Sequence, residues 1–146
     1  MAERIFTHDI PIRFHHVDAA GIVFYPRYFE MMNLTIEEWF AQALGCSYNE
    51  LHFKRRLGIP TAHIDIGFTA PSRLEETIRF NLSLLELRNS AFVLEHRVTH
   101  GSEQRLRAVH RLVCASLDEL KPVPIPLDIR ERMLDYLQTQ SNIETA

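Results

Sequence analysis

The side chains with the most chemical potential lie in one run, Phe14-His15-His16-Val17-Asp18-Ala19-Ala20-Gly21-Ile22-Val23-Phe24-Tyr25-Pro26-Arg27-Tyr28. It carries a carboxylate, Asp18, through a glycine-containing loop to the start of an apolar helical pattern. The first turn of a helix presents backbone N–H groups without intrahelical acceptors, at the positive end of the dipole. Such donors can hold the oxyanion of a polarised carbonyl, and losing one costs about 3–4 kcal/mol of barrier. Pro26 has no N–H, so that of Tyr25 is the donor nearest the helix mouth. A carboxylate beside such a donor can attack an acyl carbon or activate a water. An aspartate in a loop of this composition can also serve only to shape the turn. His16 stands two residues before Asp18. In an extended segment the two project to the same side, where an imidazolium would favour the ionised carboxylate. A solvent-facing His16 is the plain alternative.

The surrounding pattern supplies the elements that must position these groups. Residues 4–14 alternate, with Ile10, Ile12 and Phe14 on one side, and predict a strand whose edge is locally free at Pro11. From Tyr25 the period changes: Phe29, Met32, Ile36, Trp39 or Phe40, and Ala43 recur at helical spacing, with Pro26 suited to the first turn and Gly45 to the stop. Ser47-Tyr48-Asn49-Glu50 fits a capping box opening a shorter helix with Leu51 and Phe53. Strand alternation then returns at 62–68, 78–84, 92–98 and 106–116, with hairpin turns at 87–90 and 100–103. Residues 120–126 form a stiff, proline-rich exit, and 128–139 predict a terminal helix with Ile129, Met133, Leu134 and Leu137 inward. The tail Thr-Gln-Ser-Asn-Ile-Glu-Thr-Ala is expected to fray. One strand, one long helix and four strands in sequential hairpins make an α+β domain, a curved antiparallel five-stranded sheet wrapped round the helix. Its open edge suits a self-pairing dimer.

At 146 residues and 17.0 kDa the chain fits a single domain, 1–146. A net charge of −3 and a pI near 6.2 argue against nucleic-acid binding through bulk positive charge. Of 16 basic residues 14 are Arg, leaving Lys54 and Lys121. Arginine suits forked binding of phosphate or carboxylate, so the bias points to anionic ligands or to a GC-rich genome. Cys46 and Cys114 have no CxxC spacing, which favours a reducing compartment. The first residues lack an apolar signal-peptide core, and no apolar run approaches a membrane span, so a soluble cytoplasmic protein without a membrane span is expected.

The run from Asp18 to Tyr28 resembles the D-x-A-G-[IV]-V-[FWY]-[YH]-x-x-Y motif of the 4-hydroxybenzoyl-CoA thioesterase family, which has the hotdog fold and includes short-chain acyl-CoA thioesterases associated with the Tol–Pal system. Phe68-Thr69-Ala70-Pro71-Ser72-Arg73-Leu74 resembles that family's [FY]-x-A-P-[AS]-[RY]-L segment, followed by the acidic pair Glu75-Glu76. The resemblance runs over roughly residues 8–117. It implies an acyl-CoA thioesterase in which Asp18 attacks the thioester or activates water and the Tyr25 N–H polarises the carbonyl. Aromatic, hydroxybenzoyl-like and short-chain substrates both fit, with Tyr25-Pro26 leaning toward the aromatic branch. The family often has an acidic residue where His16 stands, and His16 is read here as orienting or tuning Asp18.

The same resemblance implies that Arg88, with Asn89 and Ser90, lies on a turn that meets coenzyme A, although Asn89 and Ser90 depart from the more basic versions. Arg55, Arg56 and Arg73 are further phosphate candidates. Phe24, Tyr28 and His63 are the candidate acyl-pocket residues, with the strand start at 60–63 coming from the neighbouring subunit of a homodimer or homotetramer. No cofactor beyond the substrate's own coenzyme A is implied, and no metal. His15, His16, Asp18 and His63 are the residues a metal would need, but they lack the spacing of a helical metal motif. Cys46 and Cys114 read as packing residues. A hotdog hydratase would place a His five residues after the Asp, where this chain has Val23; a non-catalytic acyl-CoA-binding or scaffold protein is the alternative from another class.

Overall fold

The computed structural model describes residues 3–139. Five strands form one antiparallel sheet: β1 (Phe6–Pro11), β3 (Thr61–Phe68), β4 (Thr77–Leu87), β5 (Ala91–His100) and β6 (Glu103–Val113), in the order β1-β4-β5-β6-β3. Alternation does the building. Ile78, Phe80, Leu82 and Leu84 of β4, Phe92, Leu94 and Val98 of β5, and Leu106, Ala108 and Leu112 of β6 are buried on one face. The long helix α1 (Pro26–Gln42) covers that face with Tyr28, Met31, Met32, Ile36, Trp39 and Phe40. Each such side chain contributes about 1.5–3 kcal/mol on leaving water, so this seam is the main support of everything mounted on it. After Gln42 the chain turns at Gly45, whose φ of +70° suits glycine. This is the hotdog arrangement, a curved sheet wrapped round a central helix.

The core is divided. One cluster gathers Ile36, Trp39, Leu94 and Leu112, the other Met32, Val98, Leu106 and Ala108. Between them in the chain register stand three buried polar residues: Thr35 on α1, His96 on β5 and His110 on β6. Thr35 satisfies its hydroxyl by donating to the Met31 carbonyl at 2.9 Å.

Several expectations need correction. The strands do not all follow one another as hairpins: β4, β5 and β6 do, but β3 pairs with β6 and leaves its other side as a sheet edge, while β1 takes the place beside β4. The reason is the 69–76 connection, which runs across the end of the sheet and bonds to Gly21, Ile12 and Arg105 rather than closing a tight turn. Phe14 is not on the inner side; the strand ends at Pro11, a short helical turn spans Phe14–His16, and the ring is 81% exposed. The final strand breaks at Cys114, beyond which β7 (Ala115–Ser116) joins β2 (Leu57–Gly58) and β8 (Lys121–Pro122) in a small second sheet. The shorter helix forms at Asn49–Lys54 as a wide π turn; Ser47 Oγ accepts from the Glu50 N–H, and Leu51 is buried while Phe53 is exposed. The terminal helix α2 (Leu127–Met133) ends earlier than its pattern suggests, followed by one turn at Leu134–Tyr136. There the backbone of Leu137 and Gln138 bonds alongside Leu84, drawing the chain out of the helix and leaving Leu134 exposed. The expected fraying from residue 140 on lies outside the described residues. No helix among the described residues is long and apolar enough to cross a membrane.

Candidate active site

The loop before α1 is a small hairpin. Val17 pairs with Val23, the Asp18 N–H donates to the Ile22 carbonyl at 3.0 Å, and the Phe24 N–H donates to the His16 carbonyl at 2.9 Å. The turn closes with the Gly21 N–H donating to the Asp18 carbonyl at 2.9 Å, and Gly21 adopts φ +77°, a conformation that favours glycine. Asp18 therefore has a structural role: its Oδ1 accepts from the Ala20 N–H at 2.9 Å. Its Oδ2 has no hydrogen-bond partner among the described residues, and the side chain is exposed. One oxygen shapes the loop and the other is free for chemistry.

The helix mouth shows which donors are available. The Arg27 N–H is spent on Phe24 and that of Tyr28 on Tyr25, Phe24 is bonded to His16, and Pro26 has none. No side chain caps the helix, and the Tyr25 N–H has no acceptor among the described residues. A backbone donor at the positive end of α1 thus stays free where the hairpin that carries the Asp18 carboxylate enters the helix.

Beside this pair lies a groove of about 340 Å³ lined by Ile22, Val23, Tyr25, Tyr28, Phe68 and residues 69–71. Its wall is aromatic. The Tyr28 ring stands 5.7 Å from that of Phe68, and Tyr25 meets Phe68 edge-on at 6.5 Å. Phe24 packs edge-on against Tyr25 at 5.6 Å but does not line the groove. The far side of the groove is held by a residue that the sequence reading passed over. Arg105, 5% exposed, donates to the Pro71 carbonyl, to Ser72 Oγ and to Glu76, and also pairs with Glu103. The guanidinium holds the Glu76 carboxyl down at about 2. The signal was a basic residue at a strand position opposite the Ala-Pro-Ser-Arg segment, but only the pairing of β3 with β6 shows that they meet.

His16 does not lie in an extended segment. Its Nδ1 accepts from the Arg13 N–H at 2.9 Å, turning the ring back over the short helical turn, with the His15 ring centroid 3.9 Å away. Burial, and then His15 and Arg27, lower its pKa. The expected same-side geometry with Asp18 is absent because the backbone donor of Arg13 claims the imidazole.

His63 sits exposed on β3 opposite Arg111, five residues before Phe68, or about 17 Å along the strand. Arg88, Asn89 and Ser90 form the turn between β4 and β5. Arg88 pairs with Glu86, and the three carbonyls accept from Arg130, Ile125 and Cys114. The length of β4, about 33 Å, separates this turn from the Asp18 end of the sheet. Within one chain Tyr25 and Tyr28 line the groove, Asp18 stands on the hairpin whose Ile22 and Val23 line it, and Phe24 packs on Tyr25, while His63 and the 88–90 turn lie at the opposite end of the sheet. Arg55 is committed to Glu50 and Asp128, and Arg56 to Asp118. Among the described residues no three His, Cys, Asp or Glu side chains are placed to hold a metal. Cys46 and Cys114 are buried, unpaired core residues, and burial pushes both thiols up.

A second groove of about 430 Å³, also missed from sequence, is lined by Asn33, Ile36, Tyr48, His52 and the segment 58–61.

Hotdog architecture with a carboxylate hairpin at the mouth of its central helix defines a class, and the comparisons agree. Residues 12–133 match the thioesterase-like superfamily, and the chain belongs to it. It is 24% identical over 123 residues to a 1,4-dihydroxy-2-naphthoyl-CoA hydrolase of Synechocystis, covering 83% of this chain and 88% of that one. To the acyl-CoA thioesterase YbgC of Haemophilus influenzae it is 18% identical over 130 residues, covering 89% and 95%. The solved gentisyl-coenzyme A thioesterase BH1999 superposes with a TM-score of 0.78 at 27% identity, covering 86% of this chain and 99% of that one.

Proposed function

We propose that the protein hydrolyses the thioester of an acyl-CoA, aromatic or short-chain, to the free acid and coenzyme A. The observation that carries this reading is the unclaimed Tyr25 N–H at the mouth of α1 on the same short segment as the free Oδ2 of Asp18. The thioester carbonyl oxygen accepts from Tyr25 N–H, and negative charge developing there is stabilised by the helix end. Asp18 then either attacks the carbonyl carbon, releasing CoA thiolate and leaving a mixed anhydride that water cleaves, or takes a proton from a water that attacks directly. Both routes consume one water and give one acid and one thiol. The ring-lined groove beside Tyr28 and Phe68 supports an aromatic acyl group, and two of the relatives are named for hydroxylated aromatic esters.

A second copy completes the site. The free edge of β3 offers unpaired backbone groups over eight residues. Antiparallel pairing of that edge with itself, the isologous arrangement of a two-fold dimer, sets the Thr61–His63 end of one copy beside Phe68 of the other. It thereby supplies the strand start that one chain holds too far from its own Asp18. The 88–90 turn, at that same end of the sheet, then offers Arg88 to the nucleotide, with Asn89 and Ser90 beside it. His16 acts through the loop backbone, since its carbonyl accepts from Phe24 next to Tyr25. Two such dimers can form a tetramer. Two buried unpaired thiols suit the reducing cytoplasm.

The test is thiol release from a panel of hydroxybenzoyl, benzoyl, short-chain and long-chain acyl-CoAs. Turnover of aromatic or short-chain esters is expected. Tight binding of an ester with no thiol released from any of them would make the protein a binding module.

A further inference from the structure

Two buried histidines remain outside this mechanism. His96 and His110 are 0% and 2% exposed, on adjacent strands under α1. His96 Nε2 lies 3.4 Å from His110 Nδ1, and His110 Nε2 lies 2.7 Å from Thr61 Oγ1. Thr61 lines the 430 Å³ groove. The remaining ring nitrogen, His96 Nδ1, is buried with no partner among the described residues.

We propose that this two-ring chain fixes the hydroxyl of Thr61, which β3 pairing sets beside Phe68 of the second copy, as a hydrogen-bond donor to the acyl group, so that the protein prefers acyl-CoAs bearing an acceptor oxygen that reaches the groove. The inference rests on the acyl-CoA reading above. Burial without an anionic partner keeps both rings neutral, holding His96 at about 3 and His110 at about 4. A neutral imidazole has one N–H and one bare nitrogen. A buried N–H without an acceptor is the rarer and costlier defect, so the orphaned His96 Nδ1 is the bare nitrogen. The His96 proton is then on Nε2 and is donated to His110 Nδ1. The His110 proton is in turn on Nε2 and is donated to Thr61 Oγ1. Having accepted there, Thr61 keeps its own proton for the groove. The opposite polarity would strand an N–H in the core and commit the threonine proton to His110, showing a ligand only lone pairs. His110 is thus a positioning residue: it does not line the groove but sets what Thr61 offers it.

Two measurements on the full-length protein test this. Long-range ¹H–¹⁵N correlation spectra should show both rings protonated on Nε2; an Nδ1 proton on His110 would overturn the assignment. The second is the ratio of kcat/KM for the 2-, 3- and 4-hydroxybenzoyl-CoAs to that for benzoyl-CoA. Thr61→Val should lower the ratio for the preferred isomer about five- to tenfold, as loss of one hydrogen bond does, and Thr61→Ser should keep it. His110→Leu should lower it similarly, mainly through KM, and His110→Gln, which retains a donor, should restore it in part. An unchanged ratio in Thr61→Val would sink the inference, and Thr61, exposed at a strand start, tests it even if the His110 variants fail to fold. A wild-type protein that releases no thiol from any ester would refute the thioesterase reading instead, leaving the spectra to decide the hydroxyl's polarity.

Discussion

Asp18 commits one carboxylate oxygen to its loop and leaves the other unbonded among the described residues, and carboxylates elsewhere also shape the backbone around them. Glu76 neutralises Arg105 and also accepts from the Arg73 N–H, so the charge that anchors the groove wall also folds it. Its folded pKa, about 2, lies below the ordinary carboxylate value of 4.5. The stability it contributes is therefore present above pH 4.5 and lost as pH falls from there toward 2. His96 and His110 act in a higher window. Their folded values of about 3 and 4 lie below 6.5, so the folded state binds fewer protons than the unfolded chain, and stability declines as pH falls below 6.5. Thermal unfolding between pH 7.5 and 5 should show the midpoint falling, and His96→Leu should flatten that slope; an equal slope in the variant would show that the buried rings are not its source. The Asp18–Tyr25 pair was legible because its groups lie within eight consecutive residues. Arg105 and the histidine pair were not, since most of their partners lie far along the chain, on the 69–76 connection for Arg105 and on neighbouring strands for the histidines; His96 was visible only as a polar residue at an inward position.

The elements that carry the site are short and held by few contacts. The hairpin before α1 depends on Gly21 at φ +77°. A Cβ there would meet nothing within 4 Å, so Gly21→Ala should cost only the backbone strain, about 1 kcal/mol. Activity should fall more than that stability loss implies, because the turn sets Asp18. A melting shift of a few degrees with full turnover would contradict this. The 69–76 connection is held more firmly. Arg105→Met should destabilise by roughly 2–4 kcal/mol, since it removes the cation paired with Glu76 and the donor to the Pro71 carbonyl; chemical denaturation measures it. The long helix, the β4–β5–β6 meander and both hairpin turns were legible from periodicity and turn residues. The place of β3 was not. Its alternation announces a strand but not a neighbour, and its half-exposed Ile64 and Ile66 reflect the edge position that only the sheet order reveals.

At the scale of the molecule, one chain holds the proposed catalytic pair, Asp18 and Tyr25, at one end of its sheet and the proposed nucleotide turn at the other. If β3 pairing joins two chains into a working site, specific activity should fall on dilution in step with dimer dissociation measured by sedimentation. A monomer with undiminished activity would show that one chain suffices. Both expectations rest on the assignment of Asp18 and the Tyr25 N–H to the thioester, and one comparison tests that assignment most directly: thiol release by Asp18→Asn against wild type on the best aromatic acyl-CoA. The amide oxygen of Asn can still accept from the Ala20 N–H, so the loop and the melting temperature should be kept. Turnover should drop about 100-fold or more. A folded Asp18→Asn protein that releases thiol at nearly the wild-type rate would remove Asp18 from the chemistry and contradict the mechanism.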